Sequence, residues 1–274
     1  MKSILVATDL SGRSERAVRR AFRLAEMQGS ALTVLSIVDD DLPADLATEL
    51  KAATEKKLSQ LCQSIAAYPC TIRVEIDDLL LRIHTVADDV DADLIVLGVH
   101  RSRPFGDLFS GTTMERLVRG SLRPVLLVRD PVDQDYAHSV CGIDLSPACV
   151  AAAKATAMIA PEAPIATFHA FNPPFRGVLA LGGATTASVY PFQREVQTRL
   201  VEWLVNADLP QQAEVPEMIA ASVPEALRRM MEKTGSDLIA IGAHGRSSLA
   251  PTYLGSFAED LLRSPPCDIL IVRR

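Results

Sequence analysis

The chain has 274 residues, of which 48% are hydrophobic and 23% are charged, and its formal net charge at pH 7 is -6. This composition predicts a globular protein of one large or two ordinary domains and argues against a disordered chain. The net negative charge also argues against electrostatic binding of nucleic acid.

The sequence lacks the signs of secretion and of membrane insertion. The apolar run of the opening segment MKSILVATDLS ends at Asp9, which makes it too short for a signal peptide. No uninterrupted apolar stretch approaches the roughly 20 residues of a membrane helix. The five cysteines are scattered and odd in number, a pattern that favours reduced thiols over a disulfide framework or a zinc site. We therefore expect a cytoplasmic protein without a membrane partner.

Short apolar runs alternate with amphipathic segments along the first half of the chain. The runs carry Val, Ile and Leu at successive positions, which is typical of parallel strands covered on both faces. These predicted strands are Ile4–Thr8, Leu32–Val38, Thr71–Ile76, Leu94–Leu97 and Val125–Val128. Segments with helical spacing lie between them, among them 14–29, 46–65 and 113–120. The order βαβαβαβαβ predicts an open doubly wound sheet.

The second half repeats the first. Segment 4–11 matches 139–146, segment 91–100 matches 235–244, and segment 123–130 matches 267–274. The repeat predicts an α/β fold with two doubly wound open parallel sheets of five strands each, in domains 1–130 and 136–274. The second set of predicted strands is Ser139–Ile143, Ile165–Phe171, Val215–Ala220, Leu238–Ile241 and Ile269–Val272. The Gly- and Pro-containing insertion 172–192 indicates a loop.

Glycines bracket the loop after the fourth strand of the second half. Gly242 follows that strand, at the edge of the sheet where open parallel sheets bind ligands. Gly255-Ser256 precedes an amphipathic helical pattern, and free amides at a helix start attract anions. Turn chemistry alone also accounts for such glycines. Asp9 and Asp144, which end the first strands, either accept a hydrogen bond from a nucleoside or cap the next helix.

The segment Gly242-Ala-His-Gly245, nine residues, then Gly255-Ser256 resembles the nucleotide-binding motif of the universal stress protein family. The resemblance covers nearly the whole chain, in the tandem two-domain form of that family, apart from the linker and the insertion. It implies the adenine nucleotide alpha hydrolase-like fold and a site for ATP or a related adenine nucleotide, usually with a divalent metal such as Mg²⁺. The implied site residues of the second domain are Gly142, Ile143, Asp144, Phe171, Gly242, Ala243, Gly245, Gly255, Ser256 and Phe257.

The first domain departs from this motif. Its segment is Gly98-Val-His-Arg101, nine residues, then Gly111-Thr112-Thr113, so that Arg101 stands in place of the second glycine. The arginine either fills the space of a phosphate or binds one through its guanidinium. We expect the second domain to be the better nucleotide site. The residues implied in the first domain are Ala7, Thr8, Asp9, Val38, Gly98, Gly111, Thr112 and Thr113, and Val38, like Phe171, is expected to pack on the adenine.

Two further pairs of residues occupy matching positions. His100 and His244 lie in the two loops, and without a second ligand at metal spacing they favour a structural role. Glu115 and Glu259 follow Gly111 and Gly255 by four residues. They are either charges favoured by a helix dipole or contacts of the nucleotide or its metal.

No Walker A lysine, G-x-G-x-x-G turn or nucleophile elbow occurs in the sequence. We therefore expect a stress-response or signalling protein that binds an adenine nucleotide, with slow ATP hydrolysis at most as a side activity. Two alternatives stay open: an adenylating or ATP-hydrolysing enzyme, and a dimerisation scaffold that binds no nucleotide.

The last strand of each half, PVLLV and DILIV, would be an exposed apolar edge if left alone. The two edges can pair with each other, which predicts an internal pseudo-two-fold dimer. A homodimer of the whole chain is a further option that the sequence does not decide.

Overall fold

The computed structural model describes residues 1–99, 110–172, 190–243 and 255–273, and the side chains of 110–113, 190 and 191 lie outside this description. The ten strands are β1 Ser3–Ala7, β2 Ala31–Val38, β3 Thr71–Ile76, β4 Leu94–Gly98, β5 Val125–Val128, β6 Ser139–Gly142, β7 Ile165–Phe171, β8 Glu217–Ala220, β9 Leu238–Gly242 and β10 Asp268–Val272. The helices of the described part are α1 Ser14–Gln28, α2 Ala44–Ile65, α3 Leu79–Asp89, α4 Ser110–Gly120, α5 Pro147–Ile159, α6 Tyr190–Asn206, α7 Val223–Thr234 and α8 Ser256–Arg263.

The two halves share one strand plan and join into a single sheet. The order is β3-β2-β1-β4-β5-β10-β9-β6-β7-β8. Pairing is parallel within each half, and β5 pairs with β10 antiparallel, with Leu126 opposite Leu270. This pairing confirms the predicted pseudo-dimer within one chain and joins the two five-stranded sheets into ten strands.

Helices cover both faces of the sheet, as the continuous apolar strands predict. Ile4 and Val6 of β1 pack with α1 and α2 on one face. Leu5 packs with α3 and α4 on the other face. The second half repeats this division, with α5 and α6 on the first face and α7 and α8 on the second. In the described part of the chain, no helix combines the length and apolar content needed to cross a membrane.

The predicted loop 172–192 needs one correction. Helix α6 is already present at Tyr190, so the last residues of that segment are helical. Residues 173–189 lie outside the described residues.

A buried polar cluster joins the linker to both halves. The Asp268 carboxylate accepts hydrogen bonds from the backbone N–H groups of Arg129, at 2.8 Å, and Asp130, at 3.1 Å, and from the hydroxyl of Tyr136, at 2.6 Å. The guanidinium of Arg20, on α1, lies 3.6 Å from the carboxylate and 3.9 Å from the centre of the Tyr136 ring. Burial raises the pKa of the Asp268 carboxyl above its ordinary value, although its hydrogen bonds act in the opposite direction.

Two reciprocal ion pairs join α4 to α8. Glu115 accepts from Arg263 at 3.1 Å, and Glu259 accepts from Arg119 at 2.5 Å. Each residue of one pair is the repeat counterpart of a residue of the other, so the pairs follow the pseudo-two-fold symmetry. The two glutamates therefore connect the halves of the protein. The sequence had favoured either a free charge near the helix start or a nucleotide contact, and neither describes this role.

Candidate functional site

One cavity opens at the carboxyl edge of the sheet in each half. The first has a volume of about 310 Å³ and lies where β1 and β4 end, between Ala7, Thr8, Asp9, Gly98 and the start of α1. The second has a volume of about 370 Å³ and lies where β6 and β9 end. Of the residues expected at the second site, the structure brings eight together along this cavity, which are Gly142, Ile143, Asp144, Gly242, Ala243, Gly255, Ser256 and Phe257. Gly245 lies outside the described residues.

The two aspartates hold matching turns at the edges of the cavities. Asp9 accepts from the backbone N–H of Ser11 at 2.9 Å, and Asp144 accepts from the N–H of Ser146 at 3.0 Å. The residue between the aspartate and the serine of each turn, Leu10 or Leu145, adopts a left-handed φ angle, of 60° and 65° respectively. Such a conformation strains a leucine and persists only where its surroundings impose it. Each aspartate therefore stabilises the turn into the next helix while it lines its cavity.

Asp9 accepts a second hydrogen bond, from a network of hydroxyl groups at the start of α1. The Ser14 hydroxyl donates to Asp9 at 2.5 Å, and the Thr8 hydroxyl donates to Ser14 at 2.8 Å. At the position that corresponds to Ser14, the second half has Cys149, whose thiol lies 3.0 Å from the Ser146 carbonyl oxygen. The hydroxyl network is thus a property of the first half.

Gly98 and Gly242 are required by packing. A Cβ at Gly98 would lie 2.8 Å from the Ser14 Cα, and a Cβ at Gly242 would lie 2.9 Å from the backbone of Ala148. Both distances are far shorter than a van der Waals contact, so the start of α1 or α5 excludes any side chain. The sequence assigns Gly242 either to a ligand-binding edge or to turn chemistry, and the structure gives both glycines a steric reason within the fold.

The start of α8 opens into the second cavity. Gly255 is its N-cap, with φ -61° and ψ 149°, and among the described residues no side-chain hydrogen bond caps the helix. The first backbone bond of the helix runs from the Glu259 N–H to the Gly255 oxygen, at 3.1 Å. The amides of Ser256, Phe257 and Ala258 therefore have no partner within the helix, and all three residues line the cavity.

Helix α4 is the counterpart of α8 in the first half, and it begins before Thr112, the residue that corresponds to the first residue of α8. Helix α4 starts at Ser110, so Gly111, Thr112 and Thr113 lie inside its first turns. It contributes Met114 and Leu117 to the cavity. His100 and Arg101, and His244 of the other half, lie outside the described residues.

Val38 and Phe171 do not line the cavities. Val38 packs in the core on the opposite face of the sheet, and Phe171 lies against Phe192, with ring centres 6.2 Å apart. Side chains alternate between the faces of a strand. The cavities are accordingly lined by neighbouring positions, which are Leu35 and Ile37 in the first half and Phe168 and Ala170 in the second.

His169 is a cavity residue that the sequence did not single out. Its Nδ1 lies 2.7 Å from the carbonyl oxygen of Ile143. Because a carbonyl oxygen only accepts, Nδ1 carries the proton in this contact. The imidazole thereby ties the end of β7 to the turn that carries Asp144.

The fold and its cavities define a class, that of tandem doubly wound α/β proteins with a ligand-sized cavity in each repeat. The model of the universal stress protein family matches residues 1–129 and 136–273. The chain therefore belongs to the universal stress protein family, with two of its domains in tandem. The exact domain bounds stay a prediction.

Relatives of known sequence and structure agree with this assignment. A universal stress protein of Mycolicibacterium smegmatis is 23% identical over 303 aligned residues, which span 98% of this chain and 96% of that protein. The universal stress protein MJ0577 of Methanocaldococcus jannaschii is 28% identical over 95 residues, which are 32% of this chain and 59% of that protein. A universal stress protein of Archaeoglobus fulgidus shares the fold, with a TM-score of 0.70 at 15% identity over 99% of this chain and 98% of that chain.

Proposed function

We propose that the protein binds ATP or a related adenine nucleotide, mainly in the cavity of the second domain, and acts in a stress response or signalling pathway in the cytoplasm. The observation that carries this proposal is the start of α8, where the amides of Ser256, Phe257 and Ala258 lack helical partners beside the cavity. Such amides, together with the positive end of the helix dipole, attract phosphate.

The rest of the second cavity suits the other parts of a nucleotide. Phe168, Ala170 and Ile241 offer an apolar surface for a base. Asp144, which lines the same cavity, offers a carboxylate oxygen that a ribose hydroxyl or an amino group can approach. In this arrangement Asp144, Gly142 and Ile143 hold the nucleoside and α8 holds the phosphates. A Mg²⁺ ion would enter with those phosphates.

The first cavity is the weaker candidate for a phosphate chain. Its α4 already includes Gly111 in the helix, and the cavity is lined by the apolar side chains of Met114 and Leu117 from that helix. Arg13 and Ser14 also line this cavity, but the part that α4 forms is apolar, and an apolar lining solvates phosphate poorly. We therefore propose that nucleotide affinity differs between the domains, with the second domain tighter.

Calorimetric titration of the purified full chain with ATP, adenosine and GTP tests the proposal. A single tight site for ATP, with weaker binding of adenosine, is expected because adenosine lacks the phosphates that α8 would hold. Nucleotide released by denaturing the freshly purified protein, identified by chromatography, gives an independent readout. Absence of ATP binding together with absence of released nucleotide would refute the proposed function.

A further inference from the structure

We propose that Cys62 and Cys70 are a dithiol that hydroperoxides oxidise to an intramolecular disulfide. Cys62 lies in the last turns of α2, and Cys70 directly precedes β3. The proposal concerns the far edge of the first domain and is independent of nucleotide binding.

Cys62 and Cys70 lie at the two ends of the short connection between α2 and β3. Both residues line one cavity of about 350 Å³, together with Ser59 and Tyr68. Both residues also belong to one hydrophobic cluster, in which Cys62 is buried and Cys70 packs against it. The hydroxyl of Tyr68 donates to the Ser30 carbonyl oxygen at 2.7 Å, which fixes the connection between α2 and β3. A disulfide needs two sulfur atoms already held near each other, and this connection provides that.

The two cysteines differ in access, which assigns them different roles. Cys62 is 4% exposed, whereas Cys70 is partly exposed. Burial and the neighbouring Cys70 raise the pKa of the Cys62 thiol to about 12. Cys62 therefore stays protonated at neutral pH, and Cys70 is the thiol that meets a dissolved oxidant first.

The reaction balances with the hydroperoxide as the oxidant. The Cys70 thiolate attacks one peroxide oxygen, the O–O bond breaks, and Cys70 becomes a sulfenic acid while the other oxygen leaves as hydroxide and is protonated. The sulfur of Cys62 then attacks the Cys70 sulfur, the S–O bond breaks, and the thiol proton leaves with that oxygen as water. Overall two thiols and one hydrogen peroxide give one disulfide and two waters.

A second cysteine pair supplies an internal control. Cys141 and Cys149 are also neighbours, with the Cys141 sulfur 3.9 Å from the Cys149 carbonyl oxygen. Both residues are fully buried. Burial also raises the pKa of the Cys149 thiol, to about 11. If proximity alone decided reactivity, this pair would oxidise as well. If Cys141 and Cys149 stay reduced in peroxide, the difference between the pairs is due to solvent access.

The test is oxidation of the folded full chain with hydrogen peroxide, followed by alkylation and tryptic digestion without reduction. Both cysteines fall in the tryptic peptide 58–73. We expect this peptide to lose two hydrogen atoms and to take up no alkyl group, and to accept two alkyl groups after reduction. The tryptic peptide 130–154, which carries both Cys141 and Cys149, should stay fully reduced and accept two alkyl groups.

Single variants distinguish the two roles. In Cys62→Ser, the Cys70 sulfenic acid should persist and react with dimedone. In Cys70→Ser, Cys62 should stay reduced, and Cys62→Ala and Cys70→Ala serve as second variants if either serine disturbs folding measured by circular dichroism. The proposal is overturned if peptide 58–73 of the folded wild-type protein stays fully alkylated after peroxide, or if Cys70 forms only intermolecular disulfides.

Discussion

In the first half, the turn after β1 leads into Arg13 and Ser14, and both side chains line the cavity. In the second half, the corresponding turn leads into Ala148 and Cys149, which do not line the cavity, whereas glycines and the start of α8 are among the residues that do. The features shared by the halves, the strained leucine after the aspartate and the glycine that ends β4 or β9, serve the backbone. The features that differ decide which ligand each cavity suits.

The largest expected effect comes from Asp268, whose repeat counterpart is Pro124. Asp268→Ala leaves the buried Arg20 and the Tyr136 hydroxyl without their partner. We expect a loss of about 3–5 kcal/mol in the free energy of unfolding, measured by urea titration with circular dichroism. Asp208→Ala, which removes an exposed ion pair with Lys154, is the control and should cost less than about 1 kcal/mol. Equal losses for both variants would contradict the anchoring role of Asp268.

The same carboxyl predicts a pH dependence. Because the folded-state pKa of Asp268 is raised above its unfolded value, the folded state binds more protons than the unfolded state between the two pKa values, and its stability falls as pH rises through that window. Asp268→Asn removes this titration. The free energy of unfolding of the variant should therefore improve relative to wild type as pH rises from about 4, the unfolded pKa. Urea titrations at several pH values measure this difference. A difference that stays constant with pH would show that the pKa is not raised.

The glycines test whether the shared features serve the fold in both halves. Gly98→Ala and Gly242→Ala each place a Cβ within 3 Å of the backbone of α1 or α5. We expect each to lose about 1–3 kcal/mol in the free energy of unfolding. Gly255→Ala meets nothing within 4 Å and should cost less than about 1 kcal/mol. Comparable losses for all three would mean that packing against α1 and α5 is not the reason for the glycines.

The smallest expected effect concerns the ion pairs between the halves. Glu259→Gln weakens the contact with Arg119, and Glu115→Gln weakens the contact with Arg263. Each should cost about 0.2–1 kcal/mol because one partner of each pair is exposed to solvent. A double-mutant cycle for each pair separates its coupling energy from other effects. A coupling energy in only one of the two cycles would contradict the equivalence of the two ion pairs between α4 and α8.

The sequence predicted the strand plan closely because helical and strand patterns are local. Thr71–Ile76, Val125–Val128 and Ile165–Phe171 agree with the structure to the residue. The pairing of the final strands was also predicted, because two exposed apolar edges in one chain have a strong reason to meet.

The sequence did not predict which side chains line the cavities or which residues pair with the two glutamates, for two physical reasons. Strands buried on both faces show no polar alternation, so nothing in the pattern distinguishes Ile37 from its neighbour Val38. The partners of Glu115 and Glu259 lie 148 and 140 residues away in the chain. A charge pattern along one helix cannot reveal such a partner on another.

The most direct measurement of the central claim is the ATP affinity of Ser256→Asp, determined by calorimetry beside Ser256→Asn and Thr112→Asp. Ser256 is exposed at the first position of α8, where a carboxylate favours the helix dipole but repels a phosphate. We predict that Ser256→Asp weakens ATP binding at least about tenfold, equivalent to about 1.4 kcal/mol, while adenosine binding, Ser256→Asn and Thr112→Asp change little. Undiminished ATP binding by a folded Ser256→Asp protein would contradict the claim that the phosphates lie at the start of α8.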